Sequence, residues 1–220
     1  MLVYVGQMTG DPTAGRQPTT PNRPSFVPYA LPGPGSVEAI SVLRLDEATG
    51  GFALIQTVTD LQSPTYLALH PRSPFLYAAE KDFPPMGQDS RGTGAITTLR
   101  ISEPDGRLDV VGRLVGPGAT HVSLHPNGRW LFAATNRALR QVCVFTVDGH
   151  GAVGEAVCVV THEGRGPRSP NQDSAFPHSA WLDPSQRRLF VCDLGIDRVM
   201  VYDFDHSSGQ LAATGRPFAQ

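Results

Sequence analysis

Three of the seven histidines, His121, His162 and His178, are candidates for acid–base chemistry, and what they could do sets the first question. His162 opens the stretch His162-Glu163-Gly164-Arg165-Gly166-Pro167-Arg168, His178 follows in Phe176-Pro177-His178-Ser179, and His121 lies upstream in Ala119-Thr120-His121-Val122. An imidazole can take a proton from water near neutral pH. A guanidinium stabilises a developing oxyanion, or grips a carboxylate or phosphate through two parallel hydrogen bonds. Hydrolysis of an activated ester fits those parts. The chain has no G-x-S-x-G elbow, no G-x-x-x-x-G-K-[ST] loop and no H-E-x-x-H pair, so nothing supports a serine esterase, a P-loop enzyme or a zincin. Glu80, Asp193 and Asp197 are hard-oxygen groups of the kind calcium takes, but their spacing does not require a metal, and neither metal nor cofactor is expected.

These residues must be positioned by a scaffold, and the chain repeats itself. Ser63 to Asp82 aligns with Gly118 to Arg137 at an offset of 55 residues, and Phe176 to Asp193 carries the pattern again 58 residues further on. In the third copy Asp183-Pro184 replaces His70-Pro71 and His125-Pro126. Ile40 to Asp46 matches only the second half of a unit, so the chain holds about four copies of 46 to 58 residues. Within one unit, Thr120 to Leu124, Trp130 to Thr135, Val142 to Val147 and Ala156 to Thr161 are short, rich in β-branched and aromatic residues, and separated by Gly, Pro and Asp turns. Such segments are strands. Four antiparallel strands recurring at this period, each unit unable to bury both sheet faces alone, predict an all-β fold: a β-propeller of four-stranded blades, here a partial arc of about four. Residues 1–220 form a single domain on this basis, with a Pro-rich loop inserted at about 7–36.

The repeat also separates scaffold from site. Features present in every copy should hold a blade together, whereas those present once are where a ligand is read. His70 and His125 occupy the repeated turn and are expected to bond back to its backbone, as Asp183 would. His150 and His206 fall in outer turns. His121 sits where the other copies place Tyr66 and Ser179, at the start of a channel-lining strand, and His178 lies at the mouth of the next. The link from Thr161 to Pro177, longer than its counterparts, brings His162, Glu163, Arg165 and Arg168 to the same rim. Links within blades add Glu80, Lys81, Asp82, Asp89 and Arg91, then Asn136, Arg137 and Arg140, then Asp193, Asp197 and Arg198.

Composition excludes several classes. Eighteen basic against twenty acidic residues give a net charge of −2, without the basic field that would hold nucleic acid. Met1-Leu2-Val3-Tyr4-Val5-Gly6 has no basic n-region or long apolar core, and no apolar run reaches the length of a bilayer span, so a cytoplasmic protein with no membrane partner is expected. Cys143, Cys158 and Cys192 lie in alternating apolar runs without CxxC spacing, which predicts buried packing thiols.

Tyr4-Val5-Gly6, the HPxGRxLxxA pattern at His125 to Ala134, His162 to Pro167, the Pro177-His178-Ser179 step and the run Val191-Cys192-Asp193-Leu194-Gly195-Ile196-Asp197-Arg198-Val199 resemble the seven-bladed propeller lactonases. That family includes 6-phosphogluconolactonases and is related to carboxy-muconate cyclases. The resemblance implies a cofactor-free hydrolase of a small-molecule sugar-acid lactone, foremost 6-phospho-glucono-1,5-lactone in the pentose phosphate route. It implies His178 or His121 as the base that activates water, Arg168 or Arg198 as the grip on phosphate or carbonyl oxygen, and Asp193 as the group orienting the base or the sugar. Arg165, Glu163 and Glu80 are further substrate contacts on this view. Two other functions use the same rim: a propeller that binds a small acid or protein without catalysis, and a lactonising cycloisomerase. The family's Arg-Gln pair and Pro-His-x-His-Ser step are here Asn171-Gln172 and Ala175-Phe176-Pro177-His178-Ser179, lacking the arginine and the first histidine. Seven blades require roughly 350 residues at this repeat length. The first strand, Leu2 to Gly6, would close the last blade of such a ring, and an open arc would expose apolar faces and invite self-association.

Overall fold

A computed structural model describes residues 1–7, 38–81, 93–135 and 138–215. Fifteen strands and no helix occur among them. Leu2–Gly6 (β1), Glu38–Leu45 (β2) and Phe52–Thr59 (β3) form a three-stranded sheet in the order β1-β2-β3. Pro64–Leu69 (β4), Phe75–Lys81 (β5), Thr93–Ile101 (β6) and Leu108–Pro117 (β7) make the first four-stranded sheet. Ala119–Leu124 (β8), Trp130–Thr135 (β9), Gln141–Val147 (β10) and Val153–Thr161 (β11) make the second. Pro177–Leu182 (β12), Arg188–Asp193 (β13), Arg198–Asp205 (β14) and Gln210–Ala213 (β15) make the third. Every pairing is antiparallel between sequence neighbours, which is the up-and-down order of propeller blades.

Strand alternation explains how the sheets stack. In β9, Leu131 and Ala133 face the preceding sheet, where they pack with Tyr77, Ala79 and Ile96. Phe132 faces the other way, with Val142 and Val144 against Ala180, Leu189, Val191 and Phe204 of the next sheet. A third layer packs Ile40 and Val42 on Leu76, Ala78 and Leu99. β9 is therefore buried on both faces, and its six residues are apolar apart from Thr135. The inner strands β4, β8 and β12 lie side by side. Ser123 Oγ donates to the Ala180 carbonyl at 2.7 Å across that seam.

The repeated turn works as its composition predicts. His70 Nδ1 accepts the Arg72 and Ser73 N–H groups, so its Nε2 carries the proton and donates to the Gly128 carbonyl of the next blade at 3.1 Å. His125 Nδ1 accepts Asn127 N–H, and Asp183 accepts the N–H groups of Ser185, Arg187 and Arg188.

Two expectations are corrected. Leu2–Gly6 is not the closing strand of a distant blade: Leu2 to Gly6 pair with Arg44 to Ile40, so β1 takes the place of a second strand within the first sheet. Cys192 is exposed, because alternation turns it to the face opposite Val191, while Cys143 is buried and its thiol is pushed up to about 12 by burial and then by Cys158. The Pro-rich stretch from residue 8 onward lies outside the described residues.

Candidate functional site

Each of the three four-stranded blades starts its inner strand with a one-residue irregularity. The pairing with the second strand shifts between Pro64 and Tyr66, between Ala119 and His121, and between Pro177 and Ser179. The extra residues are Thr65, Thr120 and His178. A bulge of this kind re-aims a side chain and is common beside active sites. Thr65 Oγ1 is absorbed by neighbouring backbone carbonyls, whereas His178 is exposed, with its ring 5.2 Å from that of Phe176. Partial burial, and then the Lys81 charge, hold the His178 imidazole below its usual range, so at neutral pH it is unprotonated and can accept a proton.

His121 lies behind this position on β8. It is 2% exposed and packed between Tyr66, at a ring distance of 4.1 Å, and Trp181, at 4.6 Å. Burial, followed by the charge of nearby His178, lowers its pKa to about 4. Its Nδ1 is 3.4 Å from the Ala180 N–H, and its Nε2 is buried with no hydrogen-bond partner. His121 is thus a neutral imidazole with one unused polar atom, in contact with the strand that carries His178.

The carboxylates expected at the rim are buried and bonded to protein donors. Glu80, Thr135 and Asp193 face Pro64, Ala119 and Pro177 in equivalent registers, and none is more than 2% exposed. Each captures backbone N–H groups of the adjoining rim. Thr135 takes Gln141 N–H, and Glu80 takes Gln62 N–H along with the Thr97 hydroxyl and Arg113, the latter at 2.7 Å. Asp193 Oδ1 accepts from Phe176 at 2.7 Å, Gly195 at 2.9 Å and Ile196 at 3.2 Å, while its Oδ2 meets His162 Nδ1 at 2.6 Å. Burial raises the Asp193 pKa, but the bonds from His162 and Phe176 outweigh it and hold the carboxylate below its usual range. Glu80 and Asp193 share the register position that Thr135 fills in the blade between them, and a ligand reaching either carboxylate would have to displace a protein donor.

The link from His162 to Phe176 is moored to this carboxylate. His162 begins it and Phe176 ends it, and both bond Asp193. Between them Gln172 bridges the Arg168 N–H at 3.1 Å and the Leu194 carbonyl at 3.0 Å. Gly195 lets the β13–β14 turn lie against the link, since a Cβ there would stand 1.9 Å from the Ser174 carbonyl oxygen. Glu163, Arg165 and Arg168 are exposed on the link, and Arg198, exposed at the start of β14, is the Cα partner of Asp193. Topology therefore brings His178, Lys81, Arg198 and the link to one end of the inner strands, with His121 just below. Asp82, Asp89, Arg91, Asn136 and Arg137 lie outside the described residues.

Tyr202 was not singled out by the sequence. Its hydroxyl lies 2.7 Å from His162 Nε2, and burial, then Asp193, raise its pKa to about 12. In register it stands where the other blades have Leu99 and Phe145, so a hydroxyl appearing once at an apolar repeat position was the available signal. Among the described residues no group of three His, Cys, Asp or Glu converges as a metal site would. At the other end of the inner strands a cleft of about 500 Å³ is lined by Tyr66, Leu69, Leu124, Trp181 and the turn residues Pro71 and Pro126.

Comparison with known proteins decides the family. The model described as "Lactonase, 7-bladed beta-propeller" matches residues 27–219. The chain belongs to that family. Among curated relatives, 6-phosphogluconolactonase of Bacillus subtilis (strain 168) is 27% identical over 170 residues, covering 76% of this chain and 46% of that protein. The 6-phosphogluconolactonase of Yersinia pestis (strain Pestoides F) is 30% identical over 175 residues, covering 79% and 45%. Among solved structures, the Pseudomonas aeruginosa periplasmic gluconolactonase PpgL superposes with a TM-score of 0.74 at 26% identity, over 100% of this chain and 55% of that one. A Lactobacillus plantarum protein shares the fold, with a TM-score of 0.74 at 23% identity. The propeller lactonase chain thus spans about half the length of the relatives it matches. Its four sheets are a partial propeller, and no helix among the described residues is long and apolar enough to cross a membrane.

Proposed function

We propose that the chain opens a sugar-acid lactone by hydrolysis, with 6-phospho-glucono-1,5-lactone as the leading substrate and 6-phosphogluconate as the product. The observation that carries this reading is His178: an unprotonated, exposed imidazole on an inner-strand bulge, in a family whose named members hydrolyse lactones. Water attacks the lactone carbonyl carbon while His178 takes its proton. The carbonyl oxygen becomes an oxyanion, stabilised by Arg198. When the intermediate collapses, the ring C–O bond breaks and the imidazolium returns the proton to the departing alkoxide, so water is consumed and no cofactor is required. Arg165, Arg168 and Lys81 supply cationic groups for the phosphate, and Glu163 is a candidate partner for the sugar hydroxyls. Neutral His121 lies behind the base and adds no competing positive charge. Glu80 and Asp193 act through the rim they hold.

Hydrolysis followed by acid release against the spontaneous rate tests this directly. Turnover above background supports it; a propeller that only binds leaves the rate unchanged, and a cycloisomerase makes a lactone from a muconate. The reading carries the expectations of a cytoplasmic location, tested by fractionation, and of self-association through exposed Phe52, Leu54 and Trp181, tested by light scattering.

A further inference from the structure

We infer that the buried row Tyr202, His162 and Asp193 is a positioning device that sets the anion-reading arginines of the His162 to Phe176 link; this rests on the lactonase reading. All three side chains belong to residues no more than 3% exposed, so none can touch a substrate. Their order is fixed by donors and acceptors. Asp193 Oδ1 already accepts three backbone N–H groups, so the carboxylate is ionised and Oδ2 takes the proton on His162 Nδ1 at 2.6 Å. With Nδ1 engaged in this way, Nε2 faces the Tyr202 hydroxyl at 2.7 Å, and the two share a hydrogen bond.

Tyr202 belongs to the same packed cluster as Phe132, Leu189 and Val191, so the far end of the row is anchored in the core. The near end is Asp193, which holds the link at its last residue while His162 holds it at its first. Gln172 clamps the middle, its carbonyl accepting Gly166 N–H and its own N–H reaching the Arg168 carbonyl. Arg165 and Arg168 are therefore carried on a segment whose placement is transmitted from the core through three hydrogen-bonded side chains. The row occurs in one blade: the positions of Tyr202 and Asp193 are Phe145 and Thr135 in the preceding blade, and Leu99 and Glu80 in the one before. A device needed for every blade would recur, so this one serves the link it holds.

The test compares the phosphorylated lactone with glucono-1,5-lactone, which lacks the phosphate that the arginines would read. Tyr202→Phe removes one hydroxyl and keeps the ring. It is expected to raise KM for the phosphorylated lactone about tenfold, with kcat little changed and both constants for the unphosphorylated lactone unmoved. Asp193→Asn keeps an oxygen for the backbone N–H groups but turns an amide toward His162 Nδ1, and should shift the phosphorylated KM in the same direction. Imidazole nitrogen NMR should find His162 Nδ1 protonated in the wild type and bare in Asp193→Asn. KM values that stay unchanged or move together for the two lactones, or a bare Nδ1 in the wild type, overturn the inference while leaving the lactonase reading intact. A wild type that opens neither lactone removes that reading, and the inference with it.

Discussion

His121 should make the protein less stable in acid by an amount that can be isolated. The folded chain holds this imidazole at a pKa of about 4, against 6.5 for the free group, chiefly because burial disfavours the charged form. Between those values the unfolded chain binds a proton at position 121 that the folded chain refuses, so stability falls as pH is lowered from about 6.5 toward 4. A 2.5-unit depression corresponds to no more than about 3 kcal/mol in full, of which about 2 kcal/mol should develop between pH 7 and pH 4.5. His121→Phe keeps a ring between Tyr66 and Trp181 and removes the titration. The assay is urea unfolding of both proteins at half-unit pH steps, subtracting the curves so that acid effects on Asp193 and His125 cancel. Whatever its offset at pH 7, the variant should gain on the wild type by about 2 kcal/mol by pH 4.5. Curves that stay parallel within about 0.5 kcal/mol would show that His121 takes up its proton readily in the folded state, and the buried neutral imidazole would be wrong.

Phe132, fully buried between the second and third four-stranded sheets, should cost about 3–5 kcal/mol as Phe132→Ala, read from chemical denaturation; a loss below about 1 kcal/mol would show that the two sheets do not pack through it. Glu80→Ala should destabilise by about 3 kcal/mol or more, because it strips Arg113, the Thr97 hydroxyl and Gln62 N–H of their acceptor at once. In the same variant KM for the phosphorylated lactone should stay within about twofold, and a large rise in KM without loss of stability would return Glu80 to the binding site.

The repeat arithmetic made the fold readable because propeller blades are local: every strand pairs with its sequence neighbour, so turn residues and alternation carry nearly all the topology. The exception was β1, whose partner β2 begins more than thirty residues later, beyond any local signal. The candidate site was only partly legible. His121 and His178 stood out as residues that vary at a repeated position, and register places them at the mouth of adjacent inner strands. The surroundings of Glu80 and Asp193 were less legible. As charges they looked singular, yet with Thr135 they fill one position whose task is to collect rim N–H groups, a task that any short acceptor can perform. Tyr202 and His162 meet across forty residues of sequence, and only the packing of the link over β14 brings them together.

The base itself offers the most direct measurement. Hydrolysis of 6-phospho-glucono-1,5-lactone should be followed for the wild type and His178→Ala, with folding checked by circular dichroism and the spontaneous rate subtracted. The account predicts clear catalysis in the wild type and a fall in kcat of about a hundredfold or more in the variant, as expected when a positioned general base is lost. A folded His178→Ala protein that turns over as fast as the wild type would contradict it.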